Sequence, residues 1–572
     1  MQAHRPDLMS LHHVVVSGHY MTAQAGFQVL EAGGNAIDAG VAVGIATGVV
    51  ECEFVGFGGI APSMIYLAEN DEIVTLSGIG KWPKAVSSEF FHDNHGGRIP
   101  AGLLRTVVPA APDTWITALE KYGTMSFGEV AAAAIRFARD GFPMYPMMRE
   151  RFEGDAENFA KWPTSDAIFL PNGRLPAIGE TFVQSDLGAT LQYLADEEAA
   201  QAKNGREAGL GAARDAFYKG DVAAKIVQHQ KENGGLMTAD DMAGFRVTID
   251  PPCHTRFGDI DLYGCGPLSQ GPMLLETLGI LGGVDLAAMG HNTPQYIHTV
   301  VEALKLAAAD REAYFGDPLF VDVPVEELLS EDYLAARRKM IRPGEAWPGL
   351  PPAGAAGCAE LSPWEPDPSS VPVPAEASLE TSYFCVMDRH GNVFSATPSD
   401  GITKTPIVEG TGLNASMWGS RGYTGANHPS NVAPGKRPKM SSNPAIAIRK
   451  GKSITAFGSP GAEVIGQAMS QVFLNVNVFG MDLQAAVEAP RFASYSWPAS
   501  TLPHTYKPAR LNLEGAVGKD IGNALAGLGH DIEWWPYRKW SAGSVCTISK
   551  DVDTGIMHTG ADPRRTAYAI GW

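Results

Sequence analysis

One hairpin constrains this chain more than any other stretch. Phe384-Cys385-Val386-Met387 is a short apolar, β-prone run, and Val393-Phe394-Ser395-Ala396-Thr397 is a second. Between them Asp388-Arg389-His390-Gly391-Asn392 supplies turn chemistry, so the two runs read as antiparallel strands joined by a tight connection. Ahead of the first strand stands Ala377-Ser378-Leu379-Glu380-Thr381-Ser382-Tyr383, itself preceded by a proline-rich tract. That puts the Thr381 hydroxyl at the mouth of a sheet. Thr is common at strand starts, because its branched side chain suits extended backbone, so position alone assigns it no chemistry.

Composition narrows what such a sheet could serve. At 572 residues the chain is longer than one ordinary core, which suggests several domains or one large layered domain. The excess of 63 Asp and Glu over 44 Lys and Arg, a net charge of −19, argues against nucleic acid or an anionic membrane surface as a partner. Six cysteines, Cys52, Cys253, Cys265, Cys358, Cys385 and Cys546, are scattered without CxxC spacing. They predict buried thiols rather than a zinc site or a disulfide framework. The N-terminal stretch has no apolar segment behind basic residues and no apolar run reaches the length of a membrane span, so a cytoplasmic location is the expectation.

Met21 to Ala32 reads as a helix stopped by Gly33-Gly34, and Asn35 as the cap of a second, almost wholly apolar helix to Val50 that should pack inside. Gly56-Phe57-Gly58-Gly59-Ile60-Ala61 matches a dinucleotide-loop pattern, but a helix precedes it and a strand, Ser63 to Leu67, follows. That order is wrong for a Rossmann turn. The glycines therefore predict close backbone packing, and no cofactor is expected. Ser126 to Glu129 forms a capping box, Thr238 to Asp241 another, and Thr293-Pro294 starts a long helix to Tyr314. From Arg342 to Ala377 prolines recur without apolar periodicity, predicting an extended, mobile segment or a plain linker. Ser459 and Pro460 read as N-cap and first residue of an apolar helix to about Phe479, leaving the Gly461 and Ala462 amides as free donors.

Glu380-Thr381-Ser382-Tyr383, Asp388, Gly391-Asn392 and Thr397-Pro398-Ser399-Asp400 together resemble the start of the small subunit of the γ-glutamyltransferase family. Glu31 to Ala39, Ala308 to Arg311, Gly316-Asp317-Pro318, Gly458 to Glu463, Phe479 to Phe492 and Gly560 to Arg564 extend the resemblance from about His12 to Trp572. It implies a four-layer αββα sandwich of the N-terminal nucleophile hydrolase type. It also implies a precursor cut between Glu380 and Thr381 into a large chain, 1–380, and a small chain, 381–572, that stay associated as one catalytic unit. The chemistry asks for this residue: a hydroxyl is a weak nucleophile that needs a base, and a freed α-amine on the same Thr is a base at fixed distance. By the same resemblance Ser399 hydrogen-bonds the nucleophile and the Gly461 and Ala462 amides form the oxyanion hole. Thr397, Asp400 and Ser441 fall among the substrate-binding positions, and a homodimer of the two-chain unit is compatible with it.

The sequence departs from the family where a γ-glutamyl group would be gripped. Ile79, in Ser77-Gly78-Ile79-Gly80-Lys81, aligns with an Arg, Gly401 with an Asn, and Met417-Trp418-Gly419 with an acidic pair; Ser441 keeps one of two serines. Each lost bond to a charged group is worth about 1.5–3 kcal/mol. The expectation is an amidohydrolase on a small, non-glutamyl amide, as in family members such as oxamate amidohydrolase, with water or an amine as acyl acceptor. The alternatives are a genuine glutathione hydrolase or γ-glutamyltransferase using Lys81 or Arg105, and a catalytically silent relative.

Overall fold

The hairpin forms as read, with Phe384–Met387 paired to Val393–Ala396 and, on its other edge, to Val14–Ser17. The structure, a computed structural model, describes residues 3–354 and 380–572. Both strands are buried on both faces, which is why neither shows the polar alternation of a surface strand. They occupy the middle of a seven-stranded antiparallel sheet ordered Tyr568–Gly571, Val14–Ser17, Phe384–Met387, Val393–Ala396, Ser63–Leu67, Glu72–Leu76, Ile249–Asp250. A second seven-stranded antiparallel sheet runs Met9–Ser10, Met557–Ala561, Cys546–Asp551, Ser453–Gly458, Ala445–Arg449, Ile260–Gly264, Cys253–Phe257.

The two sheets stack through one apolar cluster. Val14, Val16, Cys385, Met387 and Val393 from the hairpin sheet meet Ile446, Ala456, Ile548 and Met557 from the other. Helices Tyr20–Glu31, Ala36–Val50 and Phe127–Asp140 cover the outer face of the hairpin sheet, and Gly271–Leu281, Pro294–Tyr314 and Ile465–Asn477 the outer face of its partner. The result is a four-layer αββα sandwich.

Ala36–Val50 is buried at every residue. A helix with no polar stripe has no solvent face to present, so it is enclosed between the sheet and the other helices. Asn35 and Asp38 form a capping box at its start, and the Asp388 carboxylate of the hairpin turn accepts the Ala36 amide at 2.9 Å. The hairpin is thereby fastened to its covering helix. The glycine motif lies in strand Val55–Ile60, which pairs with Ser399–Asp400. A Cβ on Gly59 would come within 2.4 Å of the Ser399 carbonyl oxygen, so the close backbone approach expected of these glycines serves the strand that carries Ser399.

Two expectations change. The first helix begins at Tyr20, because the His19 imidazole accepts the Met21 amide. Residues 342–354 are strapped down rather than loose: the Ala346 amide donates to the Leu528 carbonyl, Trp347 to Glu302 and Gly354 to Asp310. The rest of that expected mobile segment, residues 355–379, lies outside the described residues, as does Cys358. Cys52, Cys265, Cys385 and Cys546 are buried free thiols and Cys253 a partly buried one. Among the described residues no helix is long and apolar enough to cross a membrane.

Candidate active site

Thr381 is fully buried, and its hydroxyl oxygen lies 2.8 Å from that of Ser399. Sheet pairing makes this contact. Phe384 pairs with Ala396, so the residues just before one strand meet those just after the other, and the Ser382 amide donates to the Pro398 carbonyl at 3.0 Å. Thr381 has φ of 146°. That region is unfavourable for any L-residue and most of all for a β-branched one. Such distortion costs on the order of 1–3 kcal/mol and persists only where its surroundings hold it. Here the Arg565 guanidinium donates to the Thr381 carbonyl at 2.8 Å and Glu51 accepts the Ser382 hydroxyl at 2.8 Å.

The Gly461–Ala462 turn reaches the same end of the sandwich from the other sheet. Ser453–Gly458 ends three residues before Gly461, and a Cβ on Gly458 would lie 2.2 Å from the ring of Tyr383, two residues after Thr381. Ser459 does not cap the helix. Its hydroxyl donates to the Pro460 carbonyl and accepts the Ser544 amide, while Gly461 (φ 128°) and Ala462 (φ 50°) turn the chain into a short 3-10 segment before Ile465–Asn477. The left-handed backbone, not a side-chain cap, leaves the Gly461 and Ala462 amides uncommitted to any acceptor among the described residues.

The remaining expected residues divide. Thr397 is buried with its amide on the Pro62 carbonyl, and its hydroxyl has no partner among the described residues; the same holds for the hydroxyls of Ser441 and Ser442. Asp400 spends both carboxylate oxygens on the 416–417 loop, accepting the Ser416 hydroxyl and the Met417 amide, so it holds a wall of the site rather than reaching into it. Burial pushes its carboxyl up to about 6. Glu380 is also buried, and burial together with the nearby Asp400 raises it to about 7. Ile79 belongs to the apolar cluster between the sheets. The backbone carbonyl of Lys81 accepts the Val108 amide and its side chain is partly exposed, while Arg105 gives its guanidinium to the Ile99 carbonyl. Next to this end of the sandwich a cleft of about 1530 Å³ is lined by Arg105, Lys225, Lys404 and Met417 among others.

A sandwich of this layering has known counterparts. The sequence profile described as Gamma-glutamyltranspeptidase matches residues 22–572. The chain belongs to the gamma-glutamyltranspeptidase family. It is 30% identical to the glutathione hydrolase-like YwrD proenzyme of Bacillus subtilis (strain 168), the match covering 98% of each chain. It is 31% identical to the acylase ACY 1 proenzyme of Pseudomonas sp. (strain SE83), covering 98% of this chain and 94% of that one. In three dimensions it is similar to the cephalosporin acylase from Bacillus halodurans, with a TM-score of 0.84, 26% identity, and coverage of 100% of this chain and 98% of that one. The family is one of N-terminal nucleophile hydrolases and acylases, and this member is an enzyme of that type.

Several residues at this end of the family fold escape a reading by motif. Arg421, in the 3-10 turn Trp418–Arg421, is buried with its guanidinium carbon 3.2 Å from the centre of the Trp418 ring. Burial lowers its pKa to about 10. Behind Thr381, burial raises Glu51 to about 7 and Glu53 to about 8, and Tyr145 donates to Glu53 at 2.6 Å. Arg565 lies over Phe54 and Trp540. Apart from Arg421 on Trp418, their partners are distant in sequence, so spacing could not have grouped them. The basic residue three places after Trp418 was the one local signal for Arg421. His298, Glu302 and His530 bring ligand-type atoms within 4.8 Å of one another. They are spent internally: the two imidazoles bond each other at 3.0 Å, and Glu302 takes the Lys305 ammonium and the Trp347 amide.

Proposed function

We propose that this chain is a self-cleaving amidohydrolase whose nucleophile is Thr381, acting on a small amide that need not be γ-glutamyl. The observation that carries this is the 2.8 Å contact between the Thr381 and Ser399 hydroxyls at a buried residue with φ of 146°. An ordinary strand start needs neither the buried hydroxyl pair nor the distortion.

In the first reaction the Thr381 hydroxyl attacks the Glu380 carbonyl carbon, the Glu380–Thr381 C–N bond breaks, and an ester forms while the nitrogen takes up a proton. Water hydrolyses the ester, leaving residues 1–380 with a terminal carboxylate and Thr381 with a free α-amine. With an ordinary pKa of about 7.7–8.0, that amine is partly neutral near pH 7. Thereafter it accepts the hydroxyl proton as Thr381 attacks the substrate carbonyl and passes it to the departing amine. Water then releases the acid from the acyl-enzyme; an amine in its place would make the enzyme an acyltransferase.

Ser399 fixes the direction of the Thr381 hydroxyl. The Gly461 and Ala462 amides, at the same end of the sandwich and uncommitted, suit a developing oxyanion, a role in which one donor is worth about 2.7–4 kcal/mol in other acyl-transfer enzymes. Ile79 in the apolar core supports a pocket without the family's cation at that point. The test is a screen of small carboxamides, oxamate included, beside a γ-glutamyl anilide, using wild type and Thr381→Ala. Turnover of a non-glutamyl amide that disappears in the variant is expected; robust turnover of the γ-glutamyl anilide alone would restore the glutathione hydrolase reading.

A further inference from the structure

The turn that leaves the Gly461 and Ala462 amides free is held by the residue that follows it. Ala462, with φ of 50°, carries a side chain in a region that suits glycine, and such backbone lasts only where its surroundings fix it. Glu463 is 7% exposed, and its carboxylate contacts all reach other elements. One oxygen accepts the Arg311 guanidinium at 2.7 Å and the Trp497 indole N–H at 2.9 Å, and the other accepts the Ser500 amide at 2.6 Å. Its backbone carbonyl takes the Gln467 side-chain amide at 2.9 Å. The turn therefore cannot shift without breaking several buried bonds.

Arg311 is one link of a chain. From the last turn of helix Pro294–Tyr314 it also donates to Glu312 at 2.8 Å and to the Pro498 carbonyl at 2.8 Å. Glu312 takes the Lys439 ammonium at 3.0 Å, and Lys439 donates in turn to the Tyr423 hydroxyl at 3.0 Å. Arg311, Glu312 and Lys439 are as buried as Glu463, none more than 7% exposed. Lys439 stands two residues before Ser441, whose hydroxyl, like that of Ser442, has no partner among the described residues. Two cations and two anions thus run from the Ser441–Ser442 wall to the glycine turn. Burial alone would raise both carboxyls, but Arg311 outweighs it at Glu463, and Lys439 with Arg311 at Glu312, so both lie below the ordinary carboxylate range and stay ionised. Buried ion pairs are a poor way to gain stability, since apolar residues of similar volume often do as well. What charge-assisted bonds supply here is fixed geometry.

We propose that Glu463 is the positioning residue of the Gly461 and Ala462 amides, and that Arg311, Glu312 and Lys439 lock their turn to the Ser441–Ser442 wall. This rests on the reading of that turn as the oxyanion site beside Thr381. Donors favour a transition state when they are aimed in advance, with no reorganisation at the moment of reaction, and that aim is lost within about 0.5 Å. The Glu463 carboxylate is spent on Arg311, Trp497 and Ser500, so it acts through the turn and not on the substrate. Loosening it costs the tetrahedral oxyanion, which needs both amides, more than the planar carbonyl that precedes it.

The experiment follows 4-nitrophenolate release from 4-nitrophenyl acetate and from 4-nitrophenyl thionoacetate by wild type, Glu463→Gln, Glu463→Asp and Lys439→Met, with Thr381→Ala as the blank. Intact mass and near-UV circular dichroism establish cleavage and folding in each. Sulfur in place of the carbonyl oxygen is larger and accepts hydrogen bonds more weakly, so aligned amides favour the oxygen ester. Relative to the ratio shown by hydroxide, wild type should prefer the oxygen ester by about 100-fold in kcat/KM, the lower end of what one such donor supplies. In Glu463→Gln the preference should fall by about tenfold or more, with the loss in kcat rather than KM, and Glu463→Asp, which keeps the charge, should recover part of it. Lys439→Met should lower it less, and adding it to Glu463→Gln should change little further. Where Glu463→Gln does not fold, Glu463→Asp is read in its place. Loss of folded enzyme slows both esters alike and leaves the ratio unmoved. A ratio unmoved in folded, cleaved variants, or additive effects of the two substitutions, would overturn the assignment of Glu463 and its chain. A cleaved wild type without the preference would instead overturn the glycine turn as the oxyanion site. One that never separates into two chains, or releases no more 4-nitrophenolate than Thr381→Ala, would overturn the nucleophile.

Discussion

At the scale of single residues the site depends on two hydroxyls held in a register set by the sheet. Removing one of them is informative because the other stays in place. Ser399→Ala should fold and still cleave, since Thr381 keeps its hydroxyl, but the 2.8 Å contact that directs it is lost. Loss of a hydrogen bond worth about 1.4 kcal/mol corresponds to roughly tenfold. Time courses of precursor disappearance and of amide turnover should both slow by about tenfold or more; unchanged rates would show that the Ser399 hydroxyl is a bystander. The approach of the Thr381 and Ser399 hydroxyls was legible in the sequence because the hairpin that brings them together is local. The contact of Ser382 with Glu51 was not, because the two residues stand 331 positions apart. The Ser459 cap was misread for a related reason: the helix start is set by left-handed backbone at Gly461 and Ala462, which residue types at Ser459 and Pro460 do not announce.

At the scale of elements, the distance between the nucleophile strand and the glycine turn is set by a glycine with no room for a side chain. Gly458 faces the Tyr383 ring, and a methyl group there would sit 2.2 Å from it. Gly458→Ala should therefore push the two sheets apart at the catalytic end. Overpacking of this kind costs about 1–3 kcal/mol, and denaturant unfolding of the variant should show a loss in that range together with slower self-cleavage. Stability and cleavage at wild-type levels would mean that Tyr383 moves freely and that the spacing is not critical. The inner helix Ala36–Val50 was readable from its uniform apolarity, and the glycine motif at 56–59 from the order of its neighbours. What sequence order could not supply was the partner strand, Ser399–Asp400, more than 300 positions away.

At the scale of the whole molecule the four layers enclose a group of acids that ordinary solvent would leave ionised. Burial holds Glu51 up to about 7 and Glu53 up to about 8. Between the ordinary carboxyl range near 4.3 and those values the folded chain binds protons that the unfolded chain has released. Their contribution to stability is full below pH of about 4.3 and is lost as pH rises through 7 and 8. Buried His19, His428 and His504, held down to about 4, act in the opposite sense up to their ordinary value near 6.5, so the test is a difference: in the uncleaved Thr381→Ala chain, unfolding free energy measured between pH 5 and 8 should fall more, or rise less, with pH than when Glu51→Gln and Glu53→Gln are added. A slope untouched by those substitutions would place the titration elsewhere. The layered fold itself was legible as a whole only through the long motifs shared with the family, because no single strand in either sheet carries enough pattern to fix its neighbours.

In the proposed mechanism everything catalytic depends on Thr381 being freed from Glu380. Intact mass of the purified protein, measured beside Thr381→Ala, tests that directly. Wild type should separate into residues 1–380 and 381–572 and hydrolyse an amide, while the variant should remain one inactive chain; a wild type that stays uncut and still hydrolyses an amide would contradict it.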